Sequence, residues 1–207
     1  LMALFVVGNI DPDKIEQQIK EQFVSVHTST IARKKESDAV PDHAQTFARV
    51  ITDPEATNAN IQIIYNHRGS KIKNVLDYRE RLVQTLYNRM IGRRLSDLSK
   101  DASPPFVFGN TNFSQDVGDL ATYSSFAISE PKDARKAYLA LLDENQRVLQ
   151  HGFTDTELAR EKASMMQQAE QAVLEENKVE SSRIVQRLIS NFLDQNPIPS
   201  ATQQLDM

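Results

Sequence analysis

The histidines, acidic residues and arginines are the first candidates for chemistry in this chain, which contains no cysteine. That absence removes disulfides, thiolate nucleophiles and Cys-ligated zinc together. His27, His43, His67 and His151 are scattered, and none has a second His at the spacing that sets two imidazoles on one helix face. The H-x-x-E-H pattern, which would add a carboxylate base between two such ligands, is missing. Each histidine is therefore read as structural or solvated. Glu157, Glu161, Glu170, Glu175, Glu176 and Glu180 recur along one helical stretch and read as its wet face, with no acid/base pair among them. Arg93 and Arg94 close another long helix and suit the negative end of its dipole. No G-x-S-x-G elbow or phosphate-cradling glycine loop is present; the six glycines stand singly. From residue types alone, no residue is assigned as catalytic and none as a metal ligand.

These residues need a scaffold, and the stretch Asn74–Leu98 is its centre. Val75, Tyr78, Leu82, Val83, Leu86, Tyr87, Met90, Ile91, Leu95 and Leu98 recur in steps of three and four. That spacing predicts a long helix with one wide apolar stripe, capped by Asn74 and helped by Asp77 at its positive end. Arg79, Glu80, Gln84, Asn88 and Arg93 fall on its other side. Leu82, Leu86 and Met90 are expected to face strands and to be nearly dry.

Leu1–Val7 is an apolar run ended by Gly8-Asn9, which suits a buried strand. Asp11 and Pro12 then start a helix, with Ile10 and Ile15 spaced as a hydrophobic staple and Ile15, Ile19 and Phe23 facing inward. Residues 25–42 read as a surface loop, including the cluster Arg33-Lys34-Lys35. Two strands follow, Ala44–Ile51 and Ala59–Tyr65. Beyond the long helix, Phe106–Ser114 and Leu120–Ser129 form a hairpin. Its Ser, Thr and Asn residues place at least one face against water or a cavity. Pro131 opens a helix with Ala134, Tyr138, Leu141, Leu142, Val148 and Leu149 inward, ending at Gly152 in a left-handed cap. Thr154 and Glu157 make a capping box, flanked by Phe153 and Leu158 as a staple, for a last helical region that runs to about Leu193. Glu175–Lys178 marks a break within it, and Pro197 and Pro199 begin an irregular tail.

Length and composition bound the rest. A chain of 207 residues fits one large or two small domains, and 40% hydrophobic with 25% charged residues is an ordinary globular composition. The net charge of −4, with no basic block, argues against nucleic acid as a partner. No segment approaches the ~20 apolar residues of a membrane span. A first residue already inside a core-like strand reads as a segment of a longer chain.

Five blocks together resemble the second, non-catalytic domain of long bacterial members of the insulinase/pitrilysin family of zinc peptidases. They are ALFVVGNIDPDKIEQQIKEQF, DPEATNANIQIIY, YRERLVQTLYNRMIGRRLSDL followed by SPPF, LLDENQRVLQHGFTDTELAREK, and ENKVESSRIVQRLISNFL ahead of PIPS. The resemblance implies an α+β fold, a mostly antiparallel sheet with long helices packed on one face in the order βα–ββα–ββ–αα. It implies a single domain over residues 1–200 and a tail, 201–207, leading to the next segment of a longer chain.

By that resemblance the parent chain is a zinc metalloendopeptidase, and this segment supports its catalytic domain and lines the peptide chamber. Zinc is expected in the preceding domain of the parent and not in this segment. The implied partners are that catalytic domain, the second half of the same chain and a peptide or protein substrate. The implied compartment is the bacterial periplasm or cell envelope. Asn74–Leu98 resembles the family's zinc-bearing helix but carries Tyr78, Arg81, Leu82 and Asn88 with no ligand pair. In the family's other half an Arg and a Tyr grip the substrate backbone. Arg94 matches the Arg, whereas Phe106 stands near the Tyr without its hydroxyl, which favours a wall or scaffold role. The competing readings are an inactive scaffold or assembly module of the same fold, and a generic helical interaction domain.

Overall fold

The computed structural model describes residues 3–26, 41, 43–69, 71–115 and 120–207. The elements in chain order are α1 (Pro12–Phe23), β1 (Ala59–Arg68), α2 (Val75–Leu98), β2 (Phe108–Gln115), β3 (Leu120–Ser129), α3 (Ala134–His151), α4 (Asp155–Leu174), α5 (Ser181–Asp194) and α6 (Ala201–Leu205). Short 3-10 turns precede α3 at Pro131–Asp133 and follow α4 at Glu176–Lys178. The chain clusters into two units, Asp38–Gln168 and the pair of segments Leu1–Ser37 and Ala169–Met207.

The larger unit is a three-stranded antiparallel sheet in the order β1-β3-β2, with α2 running along β2 and α3 lying over β1 and β3. The register sets Ile61 opposite Ala127 and Ile63 opposite Ser125, while Gly109 and Thr111 meet the same two residues from the other side. Side chains alternate between faces along a strand, so these positions share the helix-facing side. Leu95, Phe106, Ala127, Ala137 and Leu141 form the buried centre there, with Ile61, Ile63, Leu98 and Ala140 around it. Gly109 has to be glycine for a steric reason. A Cβ would lie 2.8 Å from the ring of Phe106, which is itself buried and cannot swing away. A second, aromatic cluster joins Tyr87 of α2 to Phe113, Tyr123 and Phe153, with ring centroids 5.5–5.9 Å apart.

The α+β class and the antiparallel sheet follow the sequence reading, and the caps do too. Asn74 Oδ1 accepts from the amides of Leu76 and Asp77, and Asp77 Oδ2 accepts from the amide of Asn74, which makes a full capping box. Asp11 likewise accepts from Asp13 and Lys14. The break in the last helical region falls at Glu176–Lys178, inside the stretch expected.

Several expectations change. Among the described residues of Leu1–Val7 there is no strand, and Ala44–Ile51 forms none either; Val50 and Ile51 lie almost fully exposed. Apolarity and β-propensity make a segment able to enter a sheet, but a strand exists only with a ladder partner, and the described residues supply none for either run. Leu82 and Leu86 are half buried, and full burial on α2 begins at Met90, Ile91 and Leu95. The buried stripe of α3 is rotated from the one expected. Ala137, Leu141, Glu144 and Val148 point inward while Tyr138 and Leu149 face out. Of the hairpin's polar residues, Thr111, Thr122, Ser125 and Ser129 are buried, while Asn110, Thr111 and Asn112 border a groove, which is the cavity-facing side expected. Asn145 of α3 satisfies this side of the sheet, donating to Ser125 Oγ and accepting from the Tyr123 hydroxyl. The hairpin turn, His27 and most of the loop after Ser25 lie outside the described residues.

The smaller unit holds α1, α5 and α6, none of which buries a side chain completely. Ile184 and Phe192 of α5 are partly exposed, though Phe192 meets Phe5 edge-on at 5.8 Å. The expected irregular tail contains α6, fixed by a capping box between Ser200 and Gln203 and tied to Glu176 through the Ala201 amide.

Truncating Leu95 to Ala removes the centre of the larger core and should destabilise it by ~2–5 kcal/mol, whereas half-buried Leu86 should tolerate the same change better. Gly109→Ala should cost about 1–3 kcal/mol by overpacking against Phe106. Urea melts of the three variants check this; a Leu86→Ala loss equal to that of Leu95→Ala would show the core to be centred elsewhere.

Candidate functional site

The second half of α2 is used on three sides. One side enters the core through Ile91 and Leu95. A second reaches α4 through Arg89 and Arg94. The third borders a groove of about 620 Å³ against β2.

The α4 side is a two-rung clamp. Arg94 Nε donates to Glu157 Oε1 at 2.6 Å and Nη2 to Glu157 Oε2 at 2.8 Å, a bidentate pair. Its Nη1 donates to Glu144 of α3 at 3.1 Å, its Nη2 also to the Gly152 carbonyl at 3.2 Å, and its guanidinium lies 4.9 Å from the Phe153 ring centre. One turn back, Arg89 donates to Glu161, Ser164 and Gln168. Four-residue spacing on α4 and five on α2 align the two rungs.

Glu157 has a second task as the N3 residue of the capping box, accepting from the Thr154 amide at 2.8 Å while its own amide donates to Thr154 Oγ1. The corner before it depends on Gly152, whose φ of 65° and ψ of −147° lie outside the expected left-handed cap, in a region almost reserved for glycine. The hydrogen bonds from Arg94, with help from Thr154, hold the Glu157 carboxyl down at about 2 against the opposing effect of burial. Glu157 in turn makes the Arg94 guanidinium harder to deprotonate. Burial, then Tyr87, raises the Tyr123 hydroxyl well above its ordinary value, so it stays a proton donor.

The sequence placed Glu157 and Glu161 on a wet face, and the structure corrects this: Glu161 and Glu144 are buried and Glu157 is mostly covered. Glu170, Glu175, Glu176 and Glu180 are exposed as expected. Glu144 and Arg89 were not singled out. The available signal was phase: Glu144 occupies the apolar spacing of Ala137, Leu141 and Val148, where a carboxylate needs a buried partner.

The groove is lined by Arg81, Gln84, Asn88 and Arg93 of α2 and by 110–113 of β2, with Glu161 at one side. Its floor is pinned where Thr111 Oγ1 donates to Asn88 Oδ1 and where a Cβ on Gly92 would come within 3.0 Å of Asn110 Oδ1. A smaller hollow of about 280 Å³ continues it past Arg81 to His67 and Glu80. Within the sheet β2 pairs with β3 alone, so among the described residues its outer edge carries no strand. Arg94 and Phe106 do not line the groove: Arg94 sits in the clamp and Phe106 in the core.

Zinc does not fit the donors of the described residues. Among the described residues, no three His, Asp or Glu side chains gather as a ligand set, and the clustered carboxylates are held by arginines.

The clamp makes a pH prediction. Because the Glu157 carboxyl falls from its ordinary 4.5 to about 2 on folding, its ionisation stabilises the fold above pH 4.5. That contribution fades as the pH falls towards 2 and is gone below it. Glu157→Gln should remove roughly 1.5–3 kcal/mol at neutral pH and flatten the stability profile between those values. An unaltered profile by denaturant melts across this range counts against the clamp.

A family model described as the peptidase M16 inactive domain matches residues 1–165. The chain is similar to a protein of Arabidopsis thaliana named zinc protease PQQL-like, 27% identical over 198 residues, which are 95% of this chain and 18% of that protein. Its fold is similar to that of the periplasmic protease PqqL from Escherichia coli, with a TM-score of 0.80 and 19% identity over 97% of this chain and 22% of that one. A structure of the first half of that protease aligns with a TM-score of 0.79 and 20% identity, over 97% of this chain and 43% of the half. The chain therefore spans about a fifth of the length of the whole relatives it matches. With the family model covering most of its length, this chain belongs to the peptidase M16 inactive domains, in line with the insulinase/pitrilysin resemblance of its sequence blocks.

Proposed function

We propose that this chain serves as the non-catalytic domain of a zinc metalloendopeptidase, supporting a catalytic domain that holds the zinc and presenting the α2–β2 groove as a wall of the peptide chamber. The observation that carries the reading is that the outer edge of β2, over residues 108–113, pairs with no strand among the described residues and lies beside a polar helix face. An edge strand offers unpaired amides and carbonyls, and an extended peptide satisfies them by adding as a further strand, with side chains reaching the bordering helix. The family assignment supports the division of labour, and the match to the first half of a protease supports pairing with a catalytic domain. The Escherichia coli relative is titled a periplasmic protease, which supports an envelope location for the parent of this chain. No helix among the described residues is long and apolar enough to cross a membrane.

In this reading Arg94 and Phe106 act behind the wall. Arg94 fixes α2 against the α3–α4 corner and Phe106 fills the core beneath β2, so both position the groove and neither grips substrate.

Hydrogen exchange tests the proposal. An unstructured peptide of about ten residues, added in excess, should slow exchange of amides within Phe108–Gln115 and stay uncut with or without added zinc. Unchanged exchange in β2 would leave the inactive scaffold as the better reading, and zinc-dependent cleavage by this chain alone would overturn the non-catalytic assignment.

A further inference from the structure

The arginines of α2 differ in how they are used. Arg89 and Arg94 each hold a carboxylate of α4, and Arg94 a second one on α3. Arg81 and Arg93 also border the groove, yet neither makes an ion pair with any described residue. The ionisable side chains around the main groove are these two, Arg89 and Glu161, and Glu161 is already matched by Arg89 and Arg160. The main groove is thus locally positive on a chain whose formal charge is −4, while Asp77 and Glu80 border the hollow beyond Arg81. Charge placed against the sign of the whole molecule favours a ligand of opposite sign at that spot.

The spacing narrows the ligand further. Twelve residues separate Arg81 from Arg93, ~18 Å along the helix axis at ~1.5 Å per residue. An extended strand covers that distance in roughly five to six residues, and side chains on one face recur every second position. Carboxylates about six residues apart therefore match the axial spacing of the two arginines, whose long side chains enter the groove from positions turned by about 120° around α2. The intervening positions meet Gln84, Asn88 and Asn112, which offer neutral hydrogen bonds.

We propose that the α2–β2 groove selects extended peptide segments carrying two acidic side chains about six residues apart, read by Arg81 and Arg93. This specificity rests on the groove reading given above and adds to it the class of segment taken.

Fluorescence anisotropy on the full 207-residue chain tests it, with labelled peptides of about ten residues in a Thr/Val background. One carries two Glu six apart, one two adjacent Glu, and one Gln at both positions. The spaced Glu peptide should bind most tightly and weaken with added salt, since solvent-accessible ion pairs are screened. Arg81→Gln and Arg93→Gln should each weaken it about fivefold, the worth of one partly exposed ion pair, while leaving the Gln peptide unaffected. Arg79→Gln, on exposed α2 surface away from the groove, should change nothing. Equal binding of all three peptides, with β2 amides still protected, overturns the acidic selectivity and leaves the groove reading standing. Loss of that protection for every peptide removes both. Tighter binding of the adjacent-Glu peptide overturns the two-arginine register.

Discussion

The bidentate pair between Arg94 and Glu157 is the constraint on which the larger unit depends. It joins α2 to the first turn of α4, reaches Glu144 of α3, and meets the carbonyl of Gly152 at the corner between α3 and α4. Three helices are thereby fixed by one planar group, and a lysine could not replace it, since an ammonium cannot match a carboxylate edge-on while donating along two other directions. Taking these charges from water is expensive, and the expense is offset only because each has its partners: no buried side-chain nitrogen or oxygen among the described residues lacks one. The arrangement is better understood as setting the relative placement of helices than as a large net source of stability.

That placement produces the groove. With α2 held to α4 on one side and packed on the core through Ile91 and Leu95, its polar face cannot roll down onto β2. Helix and strand approach closely where side chains are short or absent, at Gly92 against Asn110 and at Asn88 against Thr111, and Tyr87 meets Phe113 edge-on nearby. The sheet beneath is held flush by Asn145, which lets polar β3 residues be buried without loss of hydrogen bonding. In the proposed role, this is how a domain whose described residues gather no metal-ligand set would shape a protease chamber, by keeping an edge strand and a polar helix face at fixed separation.

What the amino-acid sequence determined by itself is local. The capping boxes at Asn74–Asp77 and Thr154–Glu157, the break near Glu176, the hairpin β2–β3 and the helix α2 all depend on neighbours within a few residues, and each can be read from the spacing of polar and apolar types. The ordered blocks of the family were legible in the sequence as well, and with them the likeness to the family's inactive domains. The groove was half visible: Gln84, Asn88 and Arg93 lay on the polar side of α2 by periodicity, but nothing in the sequence said that β2 would border it. Only the tertiary structure decided which charges find a partner among the described residues. Arg89 meets residues more than 70 positions away, and Glu144 is a core residue because Arg94 arrives from 50 positions earlier. The fates of Leu1–Val7 and Ala44–Ile51 were likewise not local, since a strand is defined by its partner and periodicity describes one chain segment at a time.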